Sequence, residues 1–165
     1  MNEALRELRP DLAGVGFPHM TMSASREATV LAFDFGTRRI GVAIGNTLMR
    51  VARPLTTIDA QATDARFDAI AALIGEWQPD QLVVGVPVHD DGTEHEMTAR
   101  ARRFARQLAG RFRLPVVETD ERHTTQEAAA ALARSGDGGR AGRAKRDEVA
   151  AQVILQAWFD AQHAA

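Results

Sequence analysis

The stretch VLAFDFGTRRIGVAIGN, Val30 to Asn46, decides the fold. Val30, Leu31, Ala32 and Phe33 are all apolar and read as a buried strand, and Asp34 ends the run. Gly36 and Thr37 supply a turn. Arg39–Gly45 then runs back as a second strand. A carboxylate at the end of a buried strand, followed by a glycine turn and by Arg38 and Arg39, needs a physical reason to be there.

Outward from this hairpin the pattern stays regular. Val51–Thr57 reads as a third strand, and the short connections make the first three an antiparallel meander. Thr63–Trp77 carries Phe67, Ile70, Ala71 and Ile74 at helical spacing. Gln81–Val86 is a continuous apolar run closed by Pro87, as expected of a strand buried on both faces. Glu94–Phe112 reads as a helix with Met97, Ala101, Phe104, Ala105 and Leu108 inward and arginines such as Arg102 and Arg106 on a solvated face. Pro115–Thr119 is a fifth strand. Thr124–Arg134 opens with Thr124 and Glu127 as a capping box. Ser135–Gly142 reads as a glycine-rich loop and Arg146–Gln162 as a final helix. The last two strands need crossovers, so they should run parallel. The expected fold class is α/β, a five-stranded mixed sheet flanked by helices.

The bulk composition sets outer limits. A chain of 165 residues, 45% of them apolar, suits one domain with a core. Residues 1–28 mix Pro10, Gly14, Gly16 and Pro18 with little periodicity and read as a poorly ordered tail, with Met20 and Met22 as alternative starts; 29–165 form the folded domain. There is no cysteine, which excludes disulfides and thiolate metal sites and suits a reducing, cytoplasmic setting. No apolar run reaches the roughly 20 residues needed to span a bilayer. The first ten residues lack the features of a signal peptide. Net charge is only −2, yet 19 of the 20 basic residues are arginine, which suits phosphate binding or reflects a GC-rich genome in equal measure.

The acids carry the chemistry. Asp34 lies at the carboxyl end of the first strand, and Asp120 and Glu121 follow the fifth, where ligands gather in open α/β sheets. Asp147 shares a helical face with Ala150, Ala151, Ile154 and Trp158, so it points toward the core. Carboxylates converging on one spot repel one another and persist when a cation holds them. Their oxygens suit Mg²⁺ or Mn²⁺, the ions that support phosphodiester cleavage. Each acid also has a plainer explanation: a turn former or cap at Asp34, a favourable helix-dipole partner at Asp147 in a first helical turn, a loop anchor at Asp120.

Four blocks, LAFDFGTRRIGVAIGN, PDQLVVGVPVHDDGTE, VVETDERHTTQEA and DEVAAQVILQAW, resemble the YqgF/RuvX family within the ribonuclease H-like superfamily. They span about Val30 to Phe159. The resemblance implies a ribonuclease H-like fold and a metal-dependent nuclease that matures the 5′ end of pre-16S ribosomal RNA, with some members described as Holliday-junction resolvases. It implies Asp34, Glu121 and Asp147 as catalytic, metal-binding acids, with Asp120 as the alternative to Glu121. The more distant RuvC-type resolvases place an acid within the fourth strand, where this chain has Gly85. The family often shows Ser-Asp where this chain has Gly45 and Asn46. Arg143 stands where many relatives carry a lysine.

For nucleic acid, RSGDGGRAGRAKRD offers Arg134, Arg140, Arg143, Lys145 and Arg146 in a flexible loop able to wrap a backbone. Arg38, Arg39 and Arg122 lie near the acids and could meet the scissile phosphate or balance the acids. Aromatic residues are scarce and tyrosine is absent, so backbone recognition is favoured over base stacking. His89 and His123 read as loop residues. The expected partners are precursor ribosomal RNA or branched DNA, with ribosomal particles as a further partner and a monomer or homodimer as the acting unit. Two other classes share parts of this pattern. An ATP-binding relative of the actin and sugar-kinase type shares DFGT but needs two such domains. A non-catalytic ribosome-associated RNA-binding protein would not need three acids.

Overall fold

Residue size separates the two faces of the central strands. On one face stand Leu31, Phe33, Ile40, Val42, Ile44, Leu82 and Val84. On the other stand Val30, Ala32, Ala43 and Val83. Large side chains hold a helix layer away from a sheet, and small ones let a helix lie close. The computed structural model, which describes residues 27–89, 91–121 and 140–164, shows this asymmetry. The tail before residue 27, the Thr124–Arg134 helix, Arg122, His123 and Arg134 lie outside the described residues.

The strands are β1 (Thr29–Phe35), β2 (Arg39–Asn46), β3 (Arg53–Asp59), β4 (Gln81–Val86) and β5 (Val116–Asp120). They form one sheet in the order β3-β2-β1-β4-β5. The β1–β2 and β2–β3 pairs are antiparallel, and β1–β4 and β4–β5 are parallel, as the connection lengths predict. The third strand starts two residues later than expected. Arg50 takes a left-handed φ of 55° in the preceding turn, and Pro54 sits on this edge strand, where a missing N–H costs least.

Three described helices cover the sheet. Helices α1 (Thr63–Trp77) and α2 (Glu96–Phe112) bring Phe67, Ile70, Phe104, Ala105 and Leu108 onto the large-residue face. Ala71, expected inward, is exposed, and Arg66 is buried instead. Helix α2 starts at Glu96 rather than Glu94 because His95 caps it: His95 Nδ1 accepts from Met97 N at 3.2 Å, and Thr98 Oγ1 accepts from His95 N at 3.0 Å.

Among the described helices, α3 (Arg140–Ala164) covers the small-residue face, through Ala151, Ile154, Leu155, Trp158 and Phe159. It corrects the expected start at Arg146. The described part of the supposed glycine-rich loop, residues 140–142, is already helical, so Arg140, Arg143, Lys145 and Arg146 stand on a helix, not on a loop. Gly142 is buried, and Thr57 Oγ1 donates to the Ala144 carbonyl at 2.5 Å, fixing this end against β3. Tertiary contact here overrides the roughly 1 kcal/mol that a glycine costs a helix. Asp147 is therefore well inside the helix, and the first-turn dipole explanation does not apply to it.

The close approach is tightest at Gly41. A Cβ there would overlap the Asp147 carbonyl group, which is backbone and cannot swing away. Gly75, exposed in α1, has nothing within 4 Å of the corresponding position. Gly41→Ala should therefore lower stability by about 3 kcal/mol or more, whereas Gly75→Ala should raise it by about 0.5–1 kcal/mol. Denaturant unfolding of both variants checks this, and a Gly41→Ala protein as stable as wild type would contradict the packing.

Candidate active site

Strand alternation decides which acids meet. Asp34 lies two and four residues from Ala32 and Val30, so it shares their face beneath α3. On β5, Val117 packs on the α3 side and Val116 on the other. Continuing by twos puts Thr119 and Glu121 under α3, and Glu118 and Asp120 on the opposite face. Asp120 is the last residue of β5, not the first after it, and is exposed. Glu121 N donates to the Val86 carbonyl at 3.2 Å and so extends the ladder one step beyond the strand. The geometry thus separates the two alternatives: Glu121, not Asp120, joins Asp34.

Asp34 is flanked in the sheet by Gly41 on β2 and Gly85 on β4. Over Gly41 lies the backbone of Asp147. Over Gly85 lies the Glu121 carboxylate, whose Oε1 a Gly85 Cβ would overlap together with Ile154 Cδ1. In the sequence Gly85 stands where distant relatives carry an acid. Here it provides the space that Glu121, entering from the next strand, fills.

Burial pushes the Asp34 carboxyl well above its usual range, and the nearby charges of Glu121 and Asp147 push it further. Glu121 is raised too, by burial first. A hydrogen bond joins the two side chains. That bond acts upward on Asp34 and downward on Glu121, while burial holds both above their ordinary values. The third acid is held differently: Arg39 Nε donates to Asp147 Oδ2 at 2.6 Å, an ion pair with both side chains about a quarter exposed. Arg39 thus balances the acids, one of the two roles expected for it. Glu148 points aside and is raised by its own partial burial.

Among the described residues, no three His, Asp or Glu side chains are arranged to surround one ion. The reason is visible in the pairing: Asp147 turns to Arg39 while Asp34 and Glu121 turn to each other. The chemistry of the donors, carboxylate oxygens whose charges bear on one another, is of the kind a hard divalent cation takes.

The remaining candidates are dispersed. Arg38, exposed, joins Arg39, Asp59, Gln61 and Arg143 around an open cleft of about 460 Å³ beside Asp147. Lys145 is exposed on α3, and Arg146 is half-buried. Asn46 pairs with Thr29, five residues along β1 from Asp34 and so roughly 17 Å away. Its Oδ1 accepts from Met49 N at 2.7 Å, so it caps a turn and takes no part in the acid cluster. His89 is exposed, with its ring 4.8 Å from that of His95.

The five-stranded mixed sheet, with helices on both faces, has the ribonuclease H-like fold. Two solved structures share the fold. Thermus thermophilus RuvC in complex with a Holliday-junction substrate aligns with a TM-score of 0.51 at 16% identity, covering 82% of this chain and 96% of that one. The yeast mitochondrial Holliday-junction resolvase Ydc2 aligns at 0.52 and 13% identity, covering 81% and 78%. The family model described as "RuvX: Holliday junction resolvase" matches residues 28–161, and the chain belongs to that family. A relative from Nitrosomonas europaea is 57% identical over 148 residues, 90% of this chain and 99% of its own length. One from Dechloromonas aromatica is 54% identical over 82% of this chain and 92% of its own. Both carry the description "Putative pre-16S rRNA nuclease". No helix among the described residues is long and apolar enough to cross a membrane.

The raised Asp34 carboxyl links stability to pH. Its folded form keeps a proton that the unfolded chain releases near pH 4. The stability this contributes is present below that pH and is lost as pH rises through the elevated folded value, at up to about 1.4 kcal/mol per pH unit. With a chelator present, wild type should lose thermal stability as pH rises above about 4. Asp34→Asn should show a flatter profile and a higher melting temperature at pH 8. Parallel profiles for the two proteins would contradict the assignment.

Proposed function

We propose that this chain is a metal-dependent nuclease that hydrolyses phosphodiester bonds in precursor 16S ribosomal RNA, at its 5′ end. The observation that carries this is the buried Asp34–Glu121 carboxyl pair, with Asp147 brought to the same point by the close packing of α3 over Gly41. The substrate follows from the descriptions of relatives more than half identical over most of the chain.

Asp34, Glu121 and Asp147 would hold Mg²⁺ or Mn²⁺. A divalent cation supplies Lewis-acid stabilisation of the charge that builds on a phosphodiester as it is hydrolysed. Asp34 must give up its proton to act as a ligand, so ligation becomes easier as pH rises. Arg39 holds Asp147 in place and is positioned to pass its charge to a phosphate when Asp147 turns inward. Arg38 and Arg143 at the neighbouring cleft offer phosphate contacts. Lys145, Arg146 and Arg140 extend the basic series along α3. Arg122 belongs to this group by its position next to Glu121 in sequence.

A resolvase reading uses the same acids on a four-way DNA junction and is favoured by the description of the family model. One assay separates the two. Wild type, Asp34→Asn and Glu121→Gln are incubated with Mg²⁺ or Mn²⁺ and either a precursor RNA carrying the 5′ leader of the small-subunit RNA or a four-way junction. RNA cleavage should fall by more than about 100-fold in both variants. Junction cleavage alone would establish the resolvase. Full activity in Asp34→Asn would remove the acid site from the mechanism.

A further inference from the structure

Arg66 is a buried cation that the acid site does not use. It is 7% exposed. Its Nε donates to the Ala60 carbonyl at 2.5 Å and its Nη2 to the Gly36 carbonyl at 2.6 Å, and the guanidinium lies 5.4 Å from the centre of the Phe35 ring. Carbonyls satisfy its hydrogen bonds but do not cancel its charge. Among the described residues no carboxylate pairs with it, although buried charges are ordinarily paired.

Arg66 lines a groove of about 330 Å³ between α1 and α2, at the lower end of the range that ligand sites occupy. Arg100, Arg103 and Gln107 stand on its α2 side and Thr63 on its α1 side, and no carboxylate lines it. Arg103 is exposed and makes no ion pair among the described residues. Arg100 pairs with Glu96 at 2.8 Å, but both side chains are at least half exposed, and such pairs are weak enough for a stronger anion to displace. The first turn of α1 adds amide donors here, because its N-cap is Ala62, which has no side-chain acceptor. Asp64 lies in that turn but does not line the groove.

The groove is joined to the acid site. Phe35 follows Asp34 directly and points to the opposite face of the sheet, and Arg66 grips the carbonyl of Gly36, two residues after Asp34. A strand crossing the carboxyl edge of the sheet can therefore meet the acids on one face and this groove on the other. We propose that the α1–α2 groove, with Arg66 at its floor and Arg100 and Arg103 at its rim, binds a backbone phosphate of the nucleic-acid substrate away from the scissile bond. This rests on the nuclease reading above and adds a second anchoring point on the far side of the sheet.

Arg66 also braces two loops, so its removal could unfold the protein, and the test uses Arg103 instead. The full chain carrying Asp34→Asn, which keeps RNA intact, is titrated into a fluorescein-labelled 12-nucleotide single-stranded RNA. Anisotropy is read from 50 to 300 mM KCl. Arg103→Glu should weaken binding by at least about 10-fold at 100 mM and lower the salt slope by about 0.7, the loss of one single-strand phosphate contact. Arg53→Glu makes the same charge change on the exposed edge strand β3, at the other end of the sheet, and should stay within about two-fold of the parent protein. Equal losses in the two variants would reduce the effect to net charge and overturn the site, as would unchanged binding in Arg103→Glu. A parent protein that binds no RNA at all would remove both the groove and the nuclease reading on which it rests.

Discussion

The closeness of α3 to the sheet is the constraint on which the rest depends. A helix carrying an acid toward a sheet edge usually keeps its backbone about 10 Å from the strands, with side chains between. Here Gly41 removes that layer, and the Asp147 carbonyl group takes the place of a side chain. Gly85 does the same for the Glu121 carboxylate. The two glycines flank Asp34 on either neighbouring strand. Widening either position would push α3 or Glu121 away from Asp34 and disturb the apolar packing of Ile154 on the same face, while Leu31, Phe33 and Val84 pack on the other.

Bringing carboxylates together under cover has an electrostatic cost, and its size decides their protonation. Two unit charges about 4 Å apart repel by roughly 4 kcal/mol at the effective dielectric of a partly buried site. Such repulsion raises the pKa of a carboxyl. Desolvation acts in the same direction and is the largest cause at Asp34. One proton between Asp34 and Glu121, and one guanidinium on Asp147, together relieve most of this repulsion. A divalent cation competes with that proton and that guanidinium, so its apparent affinity should include the work of displacing both.

Much of this was legible in the sequence because it rests on local pattern. The continuous apolar run of β4 and the helical spacing of α1 placed those elements to the residue. Hairpin lengths set the meander, and crossovers set the parallel pair. The position of Asp34 at a strand end followed from the same period. What was not legible depends on contacts distant in sequence. Residues 140–142 read as loop because glycine disfavours helix, but burial of Gly142 and the bond from Thr57 outweigh that preference. The choice between Asp120 and Glu121 turned on where β5 ends, and a one-residue shift in that boundary exchanges the two faces. Gly41 looked like an ordinary small residue in I-G-V-A; only the helix laid across it gives it a role. Arg66 was hidden by its type, since an arginine in an amphipathic helix is normally assigned to the solvated face.

The two faces of the sheet also resolve the tension between a net charge of −2 and a nucleic-acid substrate. Acids cluster on the α3 face at the carboxyl edge, where a cation would convert them from repelling a phosphate to attracting one. Cationic groups stand beside them on both sides, Arg38, Arg39 and Arg143 at the α3 cleft and Arg66, Arg100 and Arg103 across the edge. Binding energy can then come from backbone contacts spread around the edge rather than from stacked bases, in keeping with a chain that has no tyrosine and whose phenylalanines Phe33, Phe67 and Phe104 are committed to the core. Such a surface fixes the path of a strand without reading its sequence.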